Sequence, residues 1–335
     1  MIYIYLALAL LISVLGALTD IKFGYVSNRH LIMALVIWII LMLIEAIFLS
    51  SPSVNILPRV LNAVLAFIAA FIFYLTDIWA PGDCKLYITV SLIFPVQAYA
   101  VQSGNIFPAL NFIIYAFAAG YIALLALFII RLAKGNAAMS DLRPKRINII
   151  SVIANLGIIA LINILFELYS PEFFYSNQIL CVLSAIALIC MIYNKFDKIR
   201  KIVGLIGLLF LIVCSSWQNI LMSLVNGLIA AFIIEFINNN ANINKYREIV
   251  KDDVRPGMIL SYSTILAMQK CIDPELPHIT TENRRSRITE RQAEAVRNWC
   301  KNAKSNVIIV EMMPFAPFIA LSVLLQIVRF LILGN

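Results

Sequence analysis

Apolar runs, each close to the ~20 residues that carry a helix across a bilayer core of ~30 Å, recur along most of this chain. Few water-soluble folds can bury so many of them. Reading with that window gives ten spans, over 1–19, 29–49, 57–77, 84–102, 107–131, 146–168, 177–193, 201–215, 217–237 and 306–333. The eighth is short, and reads as re-entrant or as merging with the ninth around Ser215-Ser216-Trp217. The first has no basic segment ahead of it and no small-residue cleavage site behind it, so a span is expected there rather than a removable signal.

Hydrophobic residues make up 62% of the chain and charged residues 13%, where a soluble domain is roughly half apolar and a quarter charged. A single water-soluble core, intrinsic disorder and a secreted disulfide scaffold are excluded for most of the chain. The six cysteines include no C-x-x-C pair, and with only two histidines they offer no zinc or haem spacing. No metal or other cofactor is expected.

Basic residues orient such a chain, because Lys and Arg collect in cytoplasmic loops. With the amino terminus outside, twelve fall in inward loops and twelve in the polar stretch 238–305, leaving only Arg59 and Arg329 on the other side. The net charge of +8 therefore reports orientation. No groove-reading or base-stacking motif accompanies it, so nucleic acid is not an expected partner. The stretch 238–305 is expected to be a small cytoplasmic insertion of mixed helix and strand. Val254–Leu260 reads as strand–turn–strand. Thr289-Glu290-Arg291-Gln292 fits a capping box opening an amphipathic helix to about Ala303.

Acidic residues in or beside spans are costly and mark candidate sites: Asp20, Glu45, Asp77, Asp83, Glu167, Glu235 and Glu311. Glu45, Glu167 and Glu235 read as interface residues. Asp20, in Thr19-Asp20-Ile21-Lys22, ends the first span on the inner side. Asp83, in Pro81-Gly82-Asp83-Cys84-Lys85, opens the fourth on the same side. Two carboxylates brought together from separate helices are what aspartyl hydrolysis needs. At ~3 Å they cannot both ionise, so one takes a proton from water while the other donates to the scissile carbonyl. Gly82 would let a substrate backbone approach, or allow a positive φ before the helix, and Pro81 suits a helix start. Lys22 and Lys85 would keep one acid charged, or simply snorkel. Asp83 can also be read as an ordinary helix cap.

Asp20, then Val26-Ser27-Asn28, then Gly82-Asp83-x-Lys85 resemble the membrane aspartyl peptidases of the G-x-G-D class, and within it the type IV prepilin peptidases. Met313-Pro314-Phe315-Ala316-Pro317-Phe318-Ile319-Ala320-Leu321 is similar to the P-F-G-P-F-L-A-L run these enzymes carry at a late span. Arg255-Pro256-Gly257-Met258, in an insertion before the last helix, is similar to the archaeal EppA-type branch. The likeness covers roughly 1–130 and 250–335, and Ala80 stands where the family has its first motif glycine. It implies Asp20 and Asp83 as the catalytic pair and pilin-like precursors as substrate, while Gly82, Lys22 and Lys85 are supporting candidates on their own chemistry. The paired cysteine element of the bacterial enzymes is absent, so their methylation of the cleaved product is not expected.

The expected fold is an all-α polytopic bundle with peptidase core spans over 1–131, further spans over 132–237, the soluble insertion over 238–305 and a last transmembrane helix over 306–335. The expected activity is endopeptidase cleavage of a short basic leader at the cytoplasmic face of the cell membrane. A secondary transporter using rim acids, and a non-catalytic pilus assembly factor, are the alternatives.

Overall fold

The computed structural model describes residues 1–48, 56–76, 78–99, 109–133, 148–169, 178–192, 197–214, 227–231, 234, 246–269, 275–277, 280, 282, 286–303, 306–310 and 314–333. In chain order the elements are α1 (Ile2–Phe23), α2 (Asn28–Phe48), α3 (Ile56–Leu75), α4 (Pro81–Ile93), α5 (Val96–Tyr99), α6 (Leu110–Ala133), α7 (Ile149–Tyr169), α8 (Gln178–Ile192) and α9 (Asp197–Cys214). There follow β1 (Tyr246–Ile249), β2 (Ile259–Leu260), α10 (Tyr262–Met268), α11 (Glu290–Ala303), β3 (Val307–Val310) and α12 (Ala316–Leu333). They divide into two compact units, one of Met1–Ala126, Pro144–Asn238 and Pro314–Asn335, the other of Leu127–Arg143 and Asn239–Met313.

The first unit is a helical bundle. Among the described residues four of its helices, over Ile2–Phe23, Asn28–Ile47, Leu57–Leu75 and Leu110–Leu127, are long and apolar enough to cross a membrane. Shorter apolar helices cover Ile149–Leu165, Gln178–Cys190 and Ala316–Ile332. α2 exposes Ile32, Val36, Ile40, Leu43 and Ile47, and a helix apolar on every side suits lipid better than water. α1 ends because Gly24 takes the left-handed conformation (φ 72°) that a helix C-cap favours, its N–H returning to the carbonyl of Asp20 at 2.8 Å.

The expected fourth span, 84–102, is corrected. α4 stops at Ile93 after 13 residues, because Pro95 keeps Phe94 extended (ψ 126°). Pro95 also lacks the N–H that would bond to the carbonyl of Ser91. Asn62 of α3 replaces it: its Nδ2 donates to Ser91 O at 3.1 Å while its Oδ1 accepts the Ala109 N–H at 2.9 Å. The buried backbone is thus satisfied by one side chain, as an apolar interior requires.

α7 and α9 pack more closely than side chains allow. A Cβ on Gly157 would fall on the carbonyl of Gly204, and one on Gly207 on the carbonyl of Gly157. Small residues at helix interfaces admit such backbone contact. Beside this seam the buried Arg200 donates to Asn155 Oδ1 and to Ser151 Oγ (3.3 Å) on α7, and to Asp197 Oδ1 (2.6 Å) on its own helix.

The second unit carries a three-stranded antiparallel sheet in the order β1-β3-β2, with Tyr246 opposite Val310 and Ile259 opposite the same residue. Here the expected last span is corrected as well. Val307-Ile308-Ile309-Val310 is a β-branched run that serves as the central strand, and the helix begins only at Ala316. The expected strand–turn–strand is a turn with Gly257 at φ 85° leading into the two-residue β2. The capping box is present: Thr289 N–H donates to Gln292 Oε1 at 2.9 Å and Gln292 N–H to Thr289 Oγ1 at 3.4 Å. α11 buries Ala293, Val296, Trp299 and Cys300 in a core shared with Ile249, Leu260, Ile265 and Val307.

Candidate active site

The end of α1 and the starts of α4 and α12 meet in the first unit. A Cβ on Gly16 would lie 2.9 Å from Leu86, and one on Gly82 would lie 3.2 Å from Val26, beyond the end of α1. Residue numbers rise along one helix as they fall along the other, so α1 and α4 are antiparallel. Asp20 lies one turn beyond Gly16 on the same face, and Asp83 lies one turn before Leu86 on the same face. The two carboxylates therefore stand at one level on the facing sides of α1 and α4. Both are buried, at 9% and 1% exposure.

Each carboxylate holds the first turn of a helix. Asp83 Oδ2 accepts the N–H of Ala80 at 3.1 Å, ahead of Pro81 at the start of α4. Asp20 Oδ2 accepts the N–H of Ala316 at 3.2 Å, the first residue of α12. A helix N-terminus leaves backbone donors unpaired and carries partial positive charge, so each acid complements the end it caps. The N-cap of α4 is Ala80 rather than Asp83, which stands three residues further on and accepts the N-cap N–H, while Asp20 accepts the first N–H of a helix far away in sequence.

The supporting residues fall as follows. Gly82 lies inside the first turn of α4, and among the described residues the positive-φ glycines are Gly24 and Gly257. Its missing Cβ serves the approach of Val26, including the Val26 backbone nitrogen at 3.3 Å. The idea that Gly82 supplies a left-handed turn is corrected. Lys85 is exposed and donates to Asn28 Oδ1 at 3.2 Å, which ties the Val26-Ser27-Asn28 segment to α4 a second time. Lys22 is exposed with its ammonium 5.2 Å from the Phe23 ring. Asp77, Glu235, Glu311 and Met313 lie outside the described residues.

Sequence reasoning missed the aromatic cluster behind the two caps. Trp79 packs against Phe73 (4.7 Å between centroids), Tyr87 (5.2 Å), Phe117 (5.8 Å) and Phe315 (5.3 Å). Phe73 and Phe117 also wall a cavity of about 500 Å³ among α3, α6, α7 and α8. Its lining is apolar apart from Ser184, whose hydroxyl is bonded to the Cys181 carbonyl. Apart from that serine the cavity offers no acid, base or nucleophile, and the aspartate junction is the candidate site on its own geometry. Glu45, expected as an interface residue, accepts a hydrogen bond from Tyr5 at 2.7 Å, and Arg59 sits 4.8 Å over the Tyr5 ring. Among the described residues no three His, Cys, Asp or Glu side chains gather as metal ligands would.

What the fold and the site define together is a helical bundle with membrane-length apolar helices and a buried pair of helix-capping aspartates. No protein-family model matches the chain, and no curated protein or solved structure matches it either.

Proposed function

We propose that this chain is an integral-membrane aspartyl endopeptidase of the prepilin-peptidase type, with Asp20 and Asp83 as its catalytic pair. The observation that carries the reading is the register of α1 against α4, which sets two buried carboxylates from separate helices at one level. One ionised carboxylate can deprotonate a water while a protonated partner donates to the scissile carbonyl. The run Pro314–Leu321, similar to the family's late-span motif, begins the helix whose first N–H binds Asp20, so three separated motif segments converge.

The substrate class is a pilin-like precursor with a short basic leader and an apolar segment. In the proposed topology ten spans place the amino terminus outside and the polar insertion in the cytoplasm of the cell membrane. A basic leader then stays inside by the same rule that orients the enzyme, and scission falls at the inner interface. No metal takes part, and no methylation follows cleavage.

The capping of Ala80 by Asp83 favours one rival, a membrane assembly factor in which the acid is only a structural cap. Cleavage of a pilin-like precursor by wild type, Asp20→Asn and Asp83→Asn, with the new amino terminus sequenced, separates the two. Asn keeps an acceptor for each cap, so both variants are expected to fold and to lose cleavage. Retained cleavage in either one removes that acid from the mechanism. Absence of cleavage by wild type on such precursors overturns the peptidase reading in favour of the scaffold.

A further inference from the structure

The two caps are linked through the residues that precede them. Ala80, whose N–H binds Asp83, follows Trp79; Ala316, whose N–H binds Asp20, follows Phe315. The Trp79 and Phe315 rings lie 5.3 Å apart at 41°, and both are buried. Phe117 touches both, stacked on Trp79 at 17° and 5.4 Å from Phe315. A ring can rotate about its own side-chain bonds without moving the backbone, but a truncated ring leaves a void into which the Cα that carried it relaxes, and the planar peptide unit passes that shift to the N–H that follows.

We infer that Trp79 and Phe315 are positioning residues that couple Asp20 to Asp83, so that displacing either ring disturbs both carboxylates. Its catalytic meaning rests on the peptidase reading; the coupling itself is a property of the bundle. A cluster that merely fills space would act locally, with Trp79 affecting Asp83 and Phe315 affecting Asp20. Coupling instead predicts crossed effects.

The test is carbodiimide-driven amine labelling of the full-length protein in detergent, with the extent at each aspartate read by mass spectrometry. Phe315→Leu is expected to raise labelling of Asp83 as well as Asp20, and Trp79→Leu to raise labelling of Asp20 as well as Asp83. Each rise should be about two- to tenfold, the range an aromatic pair contact supports. Trp79→Phe, which keeps a ring, should restore most of the protection. If a leucine variant fails to fold, Phe117→Leu removes the ring packed against both, frees Trp79 and Phe315 to shift, and should expose both acids. Changes confined to the adjacent carboxyl, or no change at either, overturn the coupling. On a precursor, the same variants should lower kcat with KM held. A wild type that does not cleave sinks the peptidase reading alone, since the labelling pattern still decides the coupling.

Discussion

The carboxylate of Asp20 accepts the backbone N–H of Ala316 at 3.2 Å, across 296 positions of sequence. The contact fastens the start of α12 to the last turn of α1, two helices that pack along their lengths. It also makes Asp20 a stabilising cap independently of any chemistry it performs.

Asp20→Ala is therefore expected to cost about 1–2 kcal/mol, the worth of a helix cap whose donor is left buried. Asp20→Asn should stay close to wild type, because its side-chain oxygen still accepts. Thermal unfolding in detergent compares them, and equal losses in the two variants would place the stabilisation elsewhere.

Asn62 stands in for the N–H that Pro95 lacks. Asn62→Leu strands the Ser91 carbonyl and the Ala109 N–H, at about 1–3 kcal/mol for each buried unsatisfied group. Pro95→Ala supplies a backbone donor to Ser91, so the double variant should recover part of the loss. A strictly additive pair of changes would show that Asn62 does not compensate for the proline.

The α7–α9 seam predicts a steep response to one methyl group. Gly157→Ala puts a carbon on the Gly204 carbonyl, and overpacking costs ~1–3 kcal/mol, here at the upper end because backbone meets backbone. The control is Gly227→Ala, where the nearest atoms stand at 3.5 Å and belong to the Leu156 side chain. It should be nearly neutral in the same unfolding assay.

Burial pushes the Cys300 thiol above its ordinary value. The folded state therefore keeps its proton when the unfolded chain gives one up. The stabilisation is full below the ordinary thiol value, about 8.5, and is lost as pH rises through the shifted one. Site-resolved alkylation should stay slow at Cys300 as pH passes the ordinary value, whereas a thiolate-driven rate climbing as for a free cysteine would contradict the burial effect.

Spans read from apolar runs located the helices well where the run was long and uninterrupted, as in α1, α2, α3 and α6. They failed where hydrophobicity persists through a change of backbone. Phe94-Pro95-Val96 is as apolar as its flanks, so a window ran past the proline that ends α4. Val307–Val310 is as apolar as a membrane helix, and only its β-branched composition separates the two. Capping box and C-cap glycine were legible or locally encoded, because each needs only neighbours in sequence. Asp20 and Asp83 stand out in the sequence as acids beside apolar runs, but what they bind does not. Nothing near Asp20 announces a partner at Ala316, and Trp79 and Phe315 meet only through the fold. Ser151 and Asn155, four apart on one face of an apolar helix, were a visible sign of the buried Arg200 cluster that sequence reasoning passed over.

The glycines between α7 and α9 also decide how this bundle can move. Helices separated by side chains slide and roll as rotamers exchange, but here each carbonyl sits in a notch that the opposite backbone leaves open. Any side chain brought to the place of Gly204 or Gly207 would drive its Cβ into the backbone of Ala154 or Gly157 on the neighbouring helix. The pair is therefore dovetailed, with no small step available to it. It travels as one beam, and any rearrangement of the bundle has to take place at joints that side chains fill.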